Sequence, residues 1–173
     1  MENVSHQVLD GIKGAIRLEI NGRKFFNHAA DVTHNERGQK MFRFLAAEEV
    51  NHLETFGKLF SKVLKSEDWK NYVKNEEIKG EAPLVEKLKE RMKGEAGKSE
   101  VEALSIGMEL EKEAIQFFQE SAKASDDPEA KKIFLEIVEE EKFHYDLLQS
   151  QYDSVMHNGI WLGGAEFQMD GKW

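Results

Sequence analysis

The stretches AAEEVNH at residues 46–52 and VEEEKFH at residues 138–144 decide the fold of this chain. Both contain the spacing Glu-x-x-His, which places a carboxylate and an imidazole one turn apart on the same face of a helix. The apolar residues around each motif recur at steps of three and four, and the Glu and the His continue that apolar stripe. Both pairs are therefore predicted to face the core of a helical protein. They consist of Glu49, His52, Glu141 and His144.

An internal repeat relates the two stretches. Residues 15–53 align without a gap with residues 107–145, and the identical pairs include both Glu-x-x-His motifs. The same alignment brings Glu19 onto Glu111, and each of these glutamates also lies on an apolar stripe. The chain is therefore predicted to contain two copies of one helical hairpin, related by an approximate two-fold axis.

The connections between the helical stretches define the architecture. Asp127 followed by Pro128 is typical of a helix N-cap with proline in the first turn. The connections inside each hairpin are short, whereas the one between the hairpins is long enough to run the length of a bundle. The fold is predicted to be all-α, a ferritin-like antiparallel four-helix bundle with a long crossover and a short C-terminal tail. The predicted boundaries are long helices at 5–33, 35–65, 99–125 and 127–157, a short helix at 84–93, hairpins 5–65 and 99–157, a crossover 66–98, a domain 1–157 and a tail 158–173.

The composition excludes several classes of function. The formal net charge is -9, so neither nucleic acid nor a membrane surface is expected as a partner. The chain has no cysteine, which excludes disulfides, thiolate-bound zinc or iron and a thiol nucleophile. Apolar runs fall short of the roughly 18 residues of a spanning helix, and residues 1–14 lack the layout of a signal peptide. A cytoplasmic protein is expected.

Four glutamates on core-facing stripes would place four negative charges inside the bundle. Buried charges without compensation are strongly destabilising, and two divalent cations would balance them, with two imidazoles completing the ligand set. One Glu from each of two helices and Glu-x-x-His from each of the other two is the arrangement of di-iron carboxylate bundles. Donors without thiolate favour iron, with manganese or zinc as substitutes. The predicted metal ligands are Glu19, Glu49, His52, Glu111, Glu141 and His144.

The sequence leaves two questions about these residues open. The six polar residues have an alternative interpretation as a metal-free network of protonated and hydrogen-bonded groups. Small residues stand one turn before and after the glutamates of the first and third long helices, and they indicate either a pocket beside the metals or close helix packing. These small residues are Ala15, Gly22, Gly107 and Ala114.

The motifs resemble the rubrerythrin-like branch of the ferritin superfamily, over the chain to about residue 157. The resemblance implies a non-haem di-iron centre in which Glu49 and Glu141 bridge the two metals. It rests on Glu19 with Phe25 and Phe26, on residues 46–52, on Glu111 with Phe117 and Phe118, and on residues 139–144.

The same resemblance implies a role for the glutamate that precedes each Glu-x-x-His. In the family this residue often hydrogen-bonds a ligand histidine of the other hairpin and so orients its imidazole. Glu48 is therefore expected to contact His144, and Glu140 is expected to contact His52.

Three features depart from the family pattern. Rubrerythrins proper carry a Cys-ligated iron domain, whereas this chain has no cysteine, so its electrons are expected from another protein such as a rubredoxin. The family tends to have a further Glu one turn after the ligand of the third long helix, where this chain has Ala114. The second aromatic of each Phe pair is often Tyr in the family, and here it is Phe26 or Phe118. The resemblance thus implies a symmetric site of four Glu and two His.

The function that the resemblance implies is a di-iron oxidoreductase that reduces H2O2 or O2 with electrons from an external donor. Two alternatives are a ferroxidase or iron-handling protein, and a bundle in which metal only stabilises the fold. The expected partners include a second copy of the chain, as a homodimer. Metal content alone does not separate these three functions.

Overall fold

The computed structural model describes residues 6–65, 68–77, 83–91 and 96–163. Within these ranges the regular structure is entirely α-helical, which confirms the predicted all-α bundle. None of the described helices combines the length and the apolar character needed to cross a membrane. The helices are α1 (His6–Val32), α2 (Glu36–Leu64), α3 (Trp69–Glu77), α4 (Pro83–Arg91), α5 (Ala96–Ala124) and α6 (Pro128–Asn158).

Two short connections fold the long helices into antiparallel hairpins. Residues 33–35 join α1 to α2, and residues 125–127 join α5 to α6. Asn35 caps α2 and Asp127 caps α6, each by accepting a hydrogen bond from a backbone N–H in the first turn of its helix. Pro128 occupies the first turn of α6, where its missing N–H leaves no helical bond unmade. The two hairpins pack against each other mainly through α1 and α5.

The crossover contains two short helices, whereas the sequence analysis places one there, at 84–93. The additional helix, α3, is held by its side chains against α2. A Cβ on Gly57 would lie 2.4 Å from Cε3 of Trp69, so the indole ring occupies the space that this glycine leaves. The ring of Tyr72 stacks on that of Phe60 at 5.7 Å. A nine-residue helix is marginal in isolation, so α3 depends on tertiary contacts that its own sequence does not reveal.

Two apolar clusters fill the bundle, one on each side of its middle. The first apolar cluster is built around Phe26, Phe42, Leu104 and Leu148. The second apolar cluster is built around Ile12, Phe56, Phe118 and Phe134. Each contains stacked aromatic rings, whose centroids are 6.4 Å apart in the first cluster and 5.4 Å apart in the second. Between the clusters every long helix carries buried polar residues, so the bundle has a polar layer at mid-height.

The beginning of the predicted tail packs on the bundle. Trp161 is only 3% exposed, and its Nε1 donates a hydrogen bond to Oε2 of Glu100 at 3.1 Å. The backbone N–H of Leu162 donates to Oε1 of Gln151 at 2.9 Å. Residues 164–173 lie outside the described part of the chain, so the boundary between domain and tail stays a prediction.

Candidate metal centre

Six buried polar residues form the layer between the two apolar clusters, and each is at most 2% exposed. α1 and α5 contribute one glutamate each, while α2 and α6 each contribute a Glu and a His one turn later. These side chains continue the apolar stripes of their helices, so the packing that buries the aromatic residues buries them as well. The structure thus brings together all six predicted ligands, which are Glu19, Glu49, His52, Glu111, Glu141 and His144.

Four of these residues form the first donor group. Glu19, Glu49, His52 and Glu141 each offer an atom within 4.8 Å of those of the others. Nδ1 of His52 lies 3.3 Å from Oε2 of Glu19 and 3.3 Å from Oε1 of Glu141. The group therefore combines three carboxylates and one imidazole around one point.

The second donor group consists of Glu111, Glu141 and His144, again with their donor atoms within 4.8 Å of one another. Nδ1 of His144 lies 2.8 Å from Oε2 of Glu141 and 3.8 Å from Oε1 of Glu111. Glu141 belongs to both groups, so it is placed to bridge two cations. Glu49 lies in the first group, and its role as a second bridge, which the resemblance implies, stays a prediction.

Four carboxylate oxygens in the layer have no hydrogen-bond partner among the described residues. They are Oε1 of Glu19, Oε1 of Glu49 and both oxygens of Glu111. Buried polar atoms are nearly always paired in folded proteins, because an unpaired one loses its hydration without compensation. A divalent cation satisfies several carboxylates at once, and carboxylate with imidazole is a donor set that suits iron, manganese or zinc. The residues therefore fit a pair of such cations.

Burial and like charge raise the pKa of two glutamates. Burial raises the pKa of Glu49 well above its ordinary value, and the nearby charge of Glu19 raises it further. Burial also raises the pKa of Glu111, and the charge of Glu141 adds to that effect. Protons therefore neutralise part of the layer when no cation does so, and a cation must displace them.

The two histidines lower the pKa of Glu141, the carboxylate that both donor groups share. Burial on its own would raise the pKa of Glu141, but hydrogen bonds from His144 and His52 and their charge lower it overall. Burial would lower the pKa of His52, but the charge of Glu19 and the hydrogen bonds to Glu140 and Glu141 raise it overall. The carboxylate common to both donor groups thus stays ionised to a lower pH than an ordinary glutamate.

Comparison with known proteins agrees with this geometry. A model of the Rubrerythrin family matches residues 10–152, a range that contains all six polar residues of the layer. The chain belongs to the rubrerythrin family. A hypothetical protein from Pyrococcus furiosus has a similar structure, with a TM-score of 0.67 at 18% identity, covering 86% of this chain and 90% of that chain. At that identity the likeness shows the fold alone. No curated protein matches the chain.

In this member of the rubrerythrin family, Glu140 connects the buried layer to the surface. Its side chain is 42% exposed, and its Oε2 lies 2.9 Å from Nε2 of His52. Because a carboxylate oxygen accepts, Nε2 of His52 donates, and Nδ1 faces Glu19 and Glu141. Glu140 therefore fixes the orientation of this imidazole toward the first donor group.

Glu48 makes a different contact from the one that the family resemblance implies. Its Oε1 accepts a hydrogen bond from Nδ2 of Asn51 at 3.0 Å, rather than from His144. Residues three apart share a helix face, and Asn51 offers an amide donor there. The repeat-related residue in α6 is Phe143, which offers no such donor, so Glu140 bonds to the histidine of the other hairpin.

The glycines beside the ligands have two different roles. At Gly107 an added Cβ would lie 3.2 Å from Cδ1 of Leu148 and 3.3 Å from Cε1 of Phe26, so this glycine permits close packing in the first apolar cluster. At Gly22 the added Cβ would instead meet the carboxylate of Glu49. Both glycines therefore permit close packing, one beside the first apolar cluster and one beside a carboxylate of the layer, and the pocket stays a prediction.

Two aromatic residues that the sequence analysis did not assign to the site flank His144. The ring of Phe44 meets the imidazole edge-on at 6.3 Å between centroids, and that of Phe143 does so at 6.2 Å. Phe143 lies within the Glu-x-x-His motif of α6, and Phe44 lies about two turns before the histidine of α2, so helical spacing was the available signal. Phe26 and Phe118, which replace the tyrosines frequent in the family, are fully buried in the apolar clusters.

Proposed function

We propose that this chain binds two iron ions in the polar layer and reduces H2O2 or O2 with electrons from another protein. The observation that carries the proposal is the set of four buried carboxylate oxygens that lack a hydrogen-bond partner in the described structure. Buried ionisable groups are often less stabilising than apolar side chains of similar volume, so a structural role without metal gives no reason for this layer. Membership of the rubrerythrin family supports the same function.

The proposed ligands are the four glutamates and Nδ1 of the two histidines. His52 and His144 both direct Nδ1 toward carboxylates of the layer, at 2.8–3.8 Å. Reduction of H2O2 to two molecules of water takes up two electrons and two protons, and a pair of bound ferrous ions supplies the two electrons. Manganese or zinc would occupy the same donors, and zinc would supply no electrons.

The protein surroundings control water and protons. The two apolar clusters exclude bulk water from the layer, which strengthens every charge interaction inside it. The aromatic rings of Phe44 and Phe143 both meet the ring of His144 edge-on and add apolar surface beside it. Glu140 is partly exposed and bonded to Nε2 of His52, so it is the group through which a proton passes between solvent and this imidazole.

The electron source is proposed to be a separate protein. The chain has no cysteine, so it carries no thiolate-bound iron that could relay electrons to the layer. A small iron–thiolate protein such as a rubredoxin has the chemistry to supply single electrons. The donor is proposed on these chemical grounds.

Anaerobic stopped-flow absorbance on the Fe(II)-loaded protein tests this function. Rapid oxidation by H2O2 or O2 with the iron retained after turnover is the expected result. Oxidised iron that leaves the protein or mineralises would favour the ferroxidase and iron-handling alternative. Iron that stays bound and does not react would favour a purely structural metal.

Variants of the histidines test the assignment of the site. His52→Ala and His144→Ala are each expected to lower iron binding by at least about tenfold, since each removes a donor from one group. His157→Ala is the matched control, because this histidine is exposed near the end of α6 and is expected to leave iron binding unchanged. If both site variants bound iron as tightly as the control, the proposed centre would be wrong.

A further inference from the structure

Trp161 occupies a fixed position at the edge of the first apolar cluster. Its side chain is buried, and a Cβ built on Gly38 would lie 2.9 Å from both Cη2 and Cζ2 of the indole. The ring therefore packs directly against the backbone of α2. Nη1 of Arg37 donates a hydrogen bond to the carbonyl oxygen of Trp161 at 3.0 Å. These contacts hold the indole in one place.

The indole N–H of Trp161 points at a base. Nε1 donates to Oε2 of Glu100 at 3.1 Å. An indole that loses an electron becomes a much stronger acid, and a carboxylate in hydrogen-bond contact is placed to take its proton. The hydroxyl of Tyr145 donates instead to the neutral amide of Gln149, and that of Tyr72 is buried with no hydrogen-bond partner among the described residues. Trp161 thus has a proton acceptor that these two oxidisable tyrosines lack.

A line of packed aromatic rings leads from Trp161 toward the polar layer. The centroid of its ring lies 6.1 Å from that of Phe42, which lies 6.4 Å from that of Phe26. Cε1 of Phe26 would lie 3.3 Å from a Cβ on Gly107, and Gly107 stands one turn before Glu111 on α5. Both phenylalanines are fully buried. An electron that moves between the indole and the layer therefore crosses close-packed contacts throughout.

The repeat does not carry this arrangement into the second hairpin. Phe42 and Phe26 correspond to Phe134 and Phe118, whose ring centroids lie 6.3 Å apart. In the described part of the chain, the rings that contact this second pair are those of Phe56 and Phe117. Phenylalanine is not readily oxidised, so the second side has the packed rings without an electron source at their end. The indole is an addition to one side of the bundle.

We propose that Trp161 supplies the second electron to H2O2 when the bound iron supplies only one, with Glu100 as the proton acceptor. This inference rests on the proposed function, because the bound iron must react with H2O2. H2O2 takes up two electrons, one from a ferrous ion and one from the indole, and two protons from solvent, and gives two molecules of water. The Nε1–H bond of Trp161 breaks, and its proton forms an O–H bond with Oε2 of Glu100. A neutral indole radical remains, and the oxidation is moved away from the ligands.

The number of iron ions per chain tests the electron count. The full chain is loaded anaerobically with one or with two equivalents of Fe(II) and mixed with one equivalent of H2O2, without an electron donor. With one equivalent of Fe(II), freeze-quench electron paramagnetic resonance is expected to show an indole radical, and peptide mapping is expected to find oxygen added to Trp161. With two equivalents the iron supplies both electrons, so both signals are expected to be lost. Equal signals at the two loadings would refute the electron count.

Variants of two indoles identify the residue that is oxidised. Trp161→Phe keeps an aromatic ring beside Gly38 and is expected to lose the radical signal. Trp69→Phe is the matched control, because Trp69 packs over Gly57 against the second apolar cluster, and this variant is expected to keep the signal. If Trp161→Phe kept the signal, or if oxygen were added to Trp69 as readily as to Trp161, the inference would be wrong while the proposed function stood. If H2O2 left the bound Fe(II) unoxidised, the proposed function would fail and this inference with it.

Glu100→Gln and solvent deuterium test the proton acceptor. The single amide oxygen of glutamine can still accept from the backbone N–H groups of His34 and Asn35, but no carboxylate then faces Nε1 of Trp161. Oxidation of Trp161 is expected to slow by at least about tenfold, because a positioned base commonly speeds proton transfer by about 100-fold or more. Near-ultraviolet circular dichroism checks that the indole stays packed. In the wild type, oxidation of Trp161 is expected to be slower in D2O than in H2O, since the exchangeable Nε1 hydrogen moves with the electron. An unchanged rate in the packed variant, or equal rates in the two solvents, would refute the role of Glu100.

Discussion

Replacing Glu111 by methionine separates the stability of the bundle from its capacity to bind metal. Glu111 is 0% exposed in α5, and neither of its carboxylate oxygens has a hydrogen-bond partner among the described residues. Burial and the charge of Glu141 raise its pKa well above the ordinary value, so the metal-free protein must hold an unfavourable group at this position. Methionine has a similar length, is flexible and carries no group that needs a partner.

The expected gain in stability follows from the unpaired carboxyl group. A buried polar group without a partner costs about 1–3 kcal/mol, and an apolar side chain of similar shape removes that cost. For a chain of this length 1 kcal/mol corresponds to about 2–4 °C in Tm. In the presence of EDTA, Glu111→Met is therefore expected to melt about 2–12 °C above the wild type.

Bound metal should reverse this order, so that the wild type melts at a higher temperature than Glu111→Met. A ligand at about 100 times its Kd stabilises the folded state by about 2.7 kcal/mol, and the wild type has the complete donor set whereas Glu111→Met has lost one donor of the second group. Thermal unfolding followed by circular dichroism, with EDTA and with excess Co(II), measures both orders. Glu113→Met, an exposed position on the same helix, is the control and should behave as the wild type in both conditions. A Glu111→Met protein less stable than the wild type in EDTA would refute the reasoning and favour a hydrogen-bonded, metal-free layer.

Three further predictions follow from the described contacts. The pKa values of Glu49 and Glu111 are raised in the folded state, so above about pH 4.3 the folded metal-free chain holds protons that the unfolded chain has lost. The stability from these two groups is therefore full below about pH 4.3 and is lost as the pH rises toward the folded-state values. The metal-free chain should have a lower Tm at pH 8 than at pH 5, and a rising Tm would contradict this. Co(II) binding at pH 7 should release protons, seen as a dependence of the calorimetric enthalpy on buffer ionisation, and an enthalpy independent of buffer would count against protonated ligands. Glu100→Ala should lower stability by about 1–3 kcal/mol and shift the emission of Trp161, since Glu100 accepts from Trp161 Nε1 and from two backbone N–H groups in the connection before α2. Unchanged emission would argue against that contact.

The sequence was sufficient to place the polar layer because two independent signals coincide there. Helical periodicity assigns Glu49 and His52 to a core-facing stripe, and the repeat assigns Glu141 and His144 to the equivalent stripe. Polar residues on a core stripe conflict with burial unless something compensates them, so the conflict itself marks the site. The hairpin geometry was equally accessible, because a capping residue such as Asp127 acts on its own first turn.

Features that depend on contacts between distant residues could not be predicted in the same way. α3 packs on α2 through Trp69, which fills the space over Gly57, and the sequence around either residue does not indicate this contact. The hydrogen bond from Asn51 to Glu48 is a different case, because these residues are only three apart on α2 and the family resemblance did not indicate it.

The residues around the repeated ligands differ between the two hairpins. The ligand residues repeat between the hairpins, but Gly22 corresponds to Ala114, and Asn51 corresponds to Phe143. The carboxylate of Glu49 lies in the space beside Gly22, and Glu140 bonds to His52 of the other hairpin. Identical ligands in different surroundings differ in charge and orientation, and these properties set the affinity of a metal position. The ligand residues of the two hairpins therefore repeat in the sequence, whereas the residues that surround them do not.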